Sequence, residues 1–346
     1  MTTFWTTVRS YLDGRHADIV AFWTGQTDTM PVATVEAHCD VVYSLYLLGQ
    51  RDFIAPQAVQ AFVNLLAGLH LPGWQKRGDE TTISVHNCAY AFGALNIISD
   101  QPADLFEQVL AGRTLEMSQL INPDTHVPKF PPKWAHHNWR VSHWIGGVPS
   151  IILSIARSGA RQGQQFADLI VLVRDATDSL VNQRTGLLRA YRSDLIQALF
   201  RLAYGVRHDP VLADVGGVSH LLWIDHVLDR RYVASEAILS EASALLHRHT
   251  PFMEGVPYCL DFDIVQALRT AANQNGGQRK QDQQRALTMM ADIEKFFAKG
   301  PPDTYTLHKV PGALATYHEC LLVAHPDGYV HNGVPATDVI KRAYWL

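Results

Sequence analysis

Apolar positions along the chain fall into two alternating kinds of segment. In the first kind they occupy most of a helical circumference, which predicts helices buried on nearly all sides. Six segments read this way: Val32–Leu48, Ile83–Ile98, Val141–Arg157, Val215–Leu228, Tyr258–Ala272 and Pro311–Ala324. In the second kind the apolar residues recur on one face only and charges hold the other. These are Thr2–Trp23, Ala55–Leu69, Ala103–Ile121, Gln164–Leu180, Ser235–His249 and Gln281–Ala298. The two kinds follow each other in strict turn. The buried segments mostly begin about 50 residues apart, the mark of a repeat seen in pattern and not in identity.

Six inner helices ringed by six outer ones predict an all-α fold, the (α/α)6 toroid, as one domain over residues 1–346. An open solenoid would need end repeats with polar outer faces. Here the first and last buried segments are as apolar as the others, so a closed ring is expected. The longer gap before the fourth buried segment holds one extra helix, Ser193–Val206, after a turn-like Asn182–Gly186. Strand signals are weak, with no sustained alternation and no Asn-Gly hairpin between β-branched runs. Asn122–Trp139, with its four prolines, reads as a loop, as do Asn275–Gly277 and Ala324–Pro335; a short helix closes the chain.

Composition narrows the function classes. With 47% apolar and 18% charged residues the chain has material for a large core, and disorder is excluded. A net charge of −4 offers no basic footprint for nucleic acid. The longest nearly uncharged run, Trp144–Ala156, is shorter than the roughly 20 residues a membrane span needs. The first twenty residues lack the basic-then-apolar order of a secretory signal. Cys39, Cys88, Cys259 and Cys320 lie far apart inside apolar helical stretches. They read as reduced thiols of a cytoplasmic protein. No HExxH, cysteine pair or tight histidine cluster occurs, so no metal and no cofactor is expected. A zinc site drawn from Cys and His of separate helices stays open.

Polar residues inside the apolar helices are the candidates for chemistry, because burying them needs a partner or a cavity. The first buried helix carries Glu36 and Asp40 on one face. The second opens with His86 and Asn87, Tyr90 following a turn later. Before and along the third run His136, His137, Asn138, Trp139, Arg140, His143 and Trp144. Pro149 either starts that helix or kinks it. The fourth holds His220 and Trp223, with Asp225 expected at a solvated end. The fifth starts with Tyr258, Asp261 and Asp263; one of the two acids is expected as a helix cap, since they point about 200° apart. The sixth brings His308, Tyr317, His318 and Glu319.

Six buried helices with polar residues near one end resemble the (α/α)6 toroid superfamilies: six-hairpin glycosidases, polysaccharide lyases, and the terpene-cyclase and prenyltransferase toroids. The resemblance implies an active site in the mouth of the barrel. Asn138, Trp139, Ile145, Gly146 and Pro149 resemble a stretch of the toroidal polysaccharide lyases. Asp261 and Asp263 resemble the acid motif of class II terpene cyclases, with Asp263 at the proton donor and Ile264 where a further Asp stands. The leading expectation is a glycoside hydrolase-like enzyme acting on a small molecule or oligosaccharide. Asp263, Asp40, Glu36 and His143 are its catalytic candidates; Asp261, His86, Asn87, Asn138, Arg140, Trp144, His220, Trp223 and Tyr258 are its substrate-binding candidates. The alternatives are a class II terpene cyclase-like enzyme with Asp263 as proton donor and a non-catalytic small-molecule or glycan binding protein. Lyase or epimerase chemistry is a further option.

Overall fold

The computed structural model describes residues 3–131, 137–189, 193–205 and 210–346. Thr2, His136 and Val206, named above, lie outside them, as does Pro132, one of the four prolines of the Asn122–Trp139 loop. The chain begins with α1 (Phe4–Arg15), α2 (Ala17–Trp23), α3 (Val35–Leu47), α4 (Pro56–Ala67), α5 (Val85–Ile98) and α6 (Ala103–Leu110). It continues with α7 (Met117–Leu120), α8 (Asn138–Ile145), α9 (Gly147–Ser158), α10 (Ala167–Thr177), α11 (Asp194–Ala203) and α12 (Pro210–Val227). The last helices are α13 (Ser235–Arg248), α14 (Cys259–Gln274), α15 (Lys280–Ala298), α16 (Lys309–Ala324) and α17 (Val339–Ala343). The protein is predominantly helical, and none of its described helices is long and apolar enough to cross a membrane. All four cysteines are free thiols; Cys259 is only partly buried.

The six segments expected to be buried are α3, α5, α8 with α9, α12, α14 and α16. Each packs on the next: α3 on α5, α5 on α9, α8 on α12, α12 on α14, α14 on α16, and α16 again on α3. Apolar side chains from Phe4 to Trp345 form one cluster. The third buried segment is broken between Ile145 and Gly147. Pro149 has no N–H to give the Ile145 carbonyl, and its ring crowds it, so α8 stops and α9 starts with Pro149 in its first turn. Arg140, His143 and Trp144 therefore sit on a helix and not in a loop.

Several outer expectations change. Thr2–Trp23 divides at His16, and Ala103–Ile121 divides where Gly112 takes a left-handed φ of 66°. Arg113 then donates to the carbonyls of Leu66, Ala67 and Leu69. Two short strand pairs occur among the described residues: β1 (Leu69–His70) with β2 (Thr81–Thr82), parallel, and, in the C-terminal loop, an Asn-Gly hairpin of β3 (Val330–His331) with β4 (Val334–Pro335). Asn332 and Gly333 both have positive φ, the backbone that a tight two-residue turn requires. Asp225 is not solvated. It is fully buried between Arg174 and Arg230.

The extra helix α11 is turned inside out. Gln197 and Arg201, one turn apart, face the protein and bond to Asn138 and Asp214. Leu195, Leu199 and Leu202 lie on the other side and are 69%, 56% and 80% exposed.

Candidate active site

A cavity of about 400 Å³ opens at the N-terminal ends of the inner helices. Local sequence explains why polar groups gather there. Thr34 caps α3 by accepting from the Ala37 amide, which sets Glu36 in the first turn. Ser84 caps α5 by accepting from Asn87, placing His86 and Asn87 on the rim. His137 caps α8 by accepting from the Arg140 amide. At α14, Asp261 takes the amides of Met253 and Tyr258, at 2.9 and 3.0 Å. With both carboxylate oxygens on backbone it is the expected cap. Burial pushes it up to about 7 against those amide bonds. Asp263, rotated away by two residues, faces the cavity instead.

Of the residues expected from sequence, Glu36, His86, Asn87, Arg140, His143, Trp144, His220, Tyr258 and Asp263 line the cavity. Asp40, Asn138, Trp223 and Asp261 do not. Asp40 stands behind Glu36, where it accepts from Tyr90 at 2.9 Å and meets His308 Nδ1 at 3.1 Å. Buried Asn138 ties the Leu188 carbonyl to Asp214 and Gln197. Trp223 packs edge-on against His220 and Trp345. His318 and Glu319 are committed elsewhere, to the Leu47 carbonyl and to Arg269.

Asp263 is the most perturbed acid of the cavity wall. It is 1% exposed, and its Oδ1 has no hydrogen-bond partner among the described residues. Burial, and secondarily the charge of Asp261, raises its pKa well above the carboxylate range, against a smaller pull from Ser219. The Ser219 hydroxyl already donates to the carbonyls of Val215 and Gly216. A protonated carboxyl held open to a cavity is the form a general acid needs.

Three imidazoles run along another wall. His86 stacks on His143 with ring centroids 4.7 Å apart, and His143 tilts toward His220 at 5.9 Å. Burial, helped by their mutual repulsion, lowers His86 well below its usual range and brings His143 and His220 to about 3. All three are neutral at pH 7. Ser142 donates to the Trp139 carbonyl at 2.6 Å, so toward His220 Nδ1, also at 2.6 Å, it accepts. That assigns the His220 proton to Nδ1 and leaves a lone pair on Nε2. The Trp345 indole donates to His86 Nδ1 at 3.3 Å, which assigns the opposite tautomer there.

Sequence reasoning did not put the chain's last residues here. After α17, Tyr344 turns at a φ of 64°. Its carbonyl accepts from Ser150, and that of Trp345 accepts from Tyr43. Trp345 stacks on His220 with centroids 4.6 Å apart, and Leu346 lines the cavity. His308, at the start of α16, was also left out of the site. Its Nδ1 lies 3.4 Å from Glu36 and 3.1 Å from Asp40. Burial disfavours its charged form, but the bond to Asp40 and the charges of Asp40 and Glu36 outweigh that and hold its pKa above the usual range. The available signal was its position: like His86 and Tyr258 it stands at the first turn of a buried helix.

No protein-family model, no curated protein and no solved structure matches the chain.

Proposed function

We propose that the chain is one closed (α/α)6 toroid whose cavity is the active site of a glycoside hydrolase-like enzyme acting on a small saccharide. The cyclic order in which the inner helices pack supports the toroid. The observation that carries the chemistry is Asp263: buried, unpartnered at Oδ1 and on the cavity wall. It donates its proton to the glycosidic oxygen as the bond to the anomeric carbon breaks. Glu36, on α3 with α16 between it and Asp263, is partly exposed to the cavity and serves as base or nucleophile. The neutral His86 and His220, one a donor and the other an acceptor, suit sugar hydroxyls. Trp139 and Trp144 offer apolar faces for a pyranose ring. The volume lies near the lower end of the roughly 300–1,000 Å³ of small-molecule sites, which favours one or two sugar units.

The test is turnover on a panel of 4-nitrophenyl glycosides. Asp263→Asn and Glu36→Gln are each expected to lose about three orders of magnitude, within the usual range for acid–base groups. A second reading, a cyclase that protonates an alkene, is favoured by the aromatic lining around a single unpartnered acid. It predicts loss in Asp263→Asn alone, on a polyene substrate. Full activity in Asp263→Asn with the fold intact removes both readings. Tight glycan binding without turnover leaves a binding protein.

A further inference from the structure

We propose that Glu36, Asp40 and His308 form a site for one divalent transition-metal cation on the cavity wall. The three donor atoms lie within 4.8 Å of one another. His308 Nδ1 is 3.1 Å from Asp40 Oδ1 and 3.4 Å from Glu36 Oε1. Two ligand atoms each about 2.1 Å from a metal, at angles between 90° and 109°, stand roughly 3.0–3.4 Å apart. Both spacings from His308 fall in that interval, so its imidazole can share a cation with either carboxylate, and Glu36, partly exposed, is the ligand that adjusts to close the set.

The placement has the other features of an open metal centre. Glu36 and Asp40 are one turn apart on α3, and His308 comes from the start of the neighbouring α16. Glu36 and His308 line the cavity, their side chains 35% and 32% exposed, which leaves room for water or substrate as further ligands. Tyr90 donates to Asp40 Oδ1 at 2.9 Å, fixing the oxygen that also meets His308, as outer-shell partners fix metal-ligating carboxylates. With a neutral imidazole the two carboxylates carry a formal charge of −2, which a divalent cation balances. Nitrogen and oxygen donors in this ratio suit Zn2+ or Mn2+ better than Ca2+, which prefers oxygen alone.

A separate observation points to a ligand in this cavity. The Asp263 carboxyl, nine-tenths buried and without a partner at Oδ1, belongs to α14 on the far side of α16 and faces the same space. The described protein groups leave it unsatisfied, and a water or substrate oxygen held by the cation is the kind of group that would satisfy it. A metal-bound water ionises near neutral pH, so the site rests on and deepens the hydrolytic reading of the same pocket: with the cation bound, Glu36 is a ligand and that water would take the base role. Its metal affinity is nonetheless read without turnover.

The experiment is isothermal titration of the full-length, chelator-treated protein with ZnCl2 and with MnCl2, and Mn2+ electron paramagnetic resonance as a second readout. One equivalent is expected to bind with micromolar or tighter Kd. Asp40→Asn, His308→Gln and Glu36→Gln are each expected to weaken binding at least tenfold. Glu36 is partly exposed, so Glu36→Gln decides the matter if the buried Asp40→Asn does not fold. Absence of stoichiometric binding overturns the proposal and leaves a hydrogen-bonded triad. Binding that survives all three substitutions overturns it too, because the metal then sits elsewhere. Metal binding lost on substitution, together with no glycoside turnover, supports the site and rejects the hydrolytic reading. Full turnover by a protein that binds no metal does the reverse.

Discussion

Replacing Asp263 by Asn should stabilise the protein, and by more as the pH rises. The native carboxyl is buried and unpartnered, so the folded state keeps it protonated above the pH at which the unfolded chain ionises. The sign follows from linkage. A carboxyl whose folded pKa is raised contributes its full stability below the unfolded pKa, about 3.9, and that stability is lost as the pH rises toward the folded pKa. Between those limits the loss is about 1.4 kcal/mol per pH unit. Asparagine has nearly the same shape and cannot ionise, so its curve lacks this slope. The difference between variant and wild type should therefore grow as the pH rises from 5, until the folded pKa is reached. Other titrating groups are common to both proteins and cancel. The assay is urea unfolding followed by circular dichroism at 222 nm at pH 5, 6, 7 and 8. The pH at which the difference stops growing reports the folded pKa directly. A difference that stays constant over this range would refute the reasoning, because Asp263 would then ionise in the folded state as it does in the unfolded chain. Greater stability at neutral pH paired with lost turnover would identify a group kept for chemistry at a cost to the fold.

Other outcomes follow from the same structure. Burial brings His38 and His318 to about 4, so both are neutral inside the fold. Their stability is present above the unfolded histidine pKa of about 6.5 and falls as the pH drops toward 4, by about 2 kcal/mol each at pH 5. The stability of wild type relative to His318→Gln, in which the other titrating groups cancel, should fall by about 2 kcal/mol between pH 7.5 and pH 5 in urea unfolding; a constant difference contradicts it. Gly312→Ala sets a Cβ 2.5 Å from the Cys259 amide, where α16 crosses the start of α14 beside the cavity. It should cost about 1–3 kcal/mol, as overpacking does, and raise KM for the substrate; an unchanged Tm and KM would show that the two helices can separate freely. Leu202→Gln on the outward face of α11 should leave unfolding within about 0.5 kcal/mol of wild type. A larger loss in urea unfolding would mean that this face is covered in solution.

The helices were legible because burial imposes a pattern on consecutive residues. A segment surrounded by apolar neighbours must itself be apolar all round, and α3, α5, α12, α14 and α16 lie within a few residues of the expected bounds. Where one residue with special backbone demands decided the outcome, the apolar pattern was not enough: Pro149, expected either to start or to kink a helix, started α9 and so split the third buried segment, Gly112 ended α6, and Asn332–Gly333 made a hairpin too short to show alternation. The inverted α11, a helix where one was expected, shows a different limit. Its periodicity is that of an amphipathic helix, and periodicity does not say which face turns inward; that was settled by the polar bonds of Gln197 and Arg201.

The site divides in the same way. Polar residues at the starts of apolar helices can be recognised one helix at a time, and nine of the thirteen named from sequence reach the cavity. What a residue does once there depends on partners that the linear order cannot supply. Asp261 and Asp263 differ by two positions and look alike in sequence, yet rotation about α14 gives one to backbone amides and leaves the other bare. His220 acquires its tautomer from Ser142, 78 positions away. Asp40 and His308 are 268 positions apart and form their bond only because α16 packs back on α3. Helix formation is local and leaves its period in the sequence. Convergence of side chains is not local, and only the packing of one helix on another decided which of these polar groups would meet.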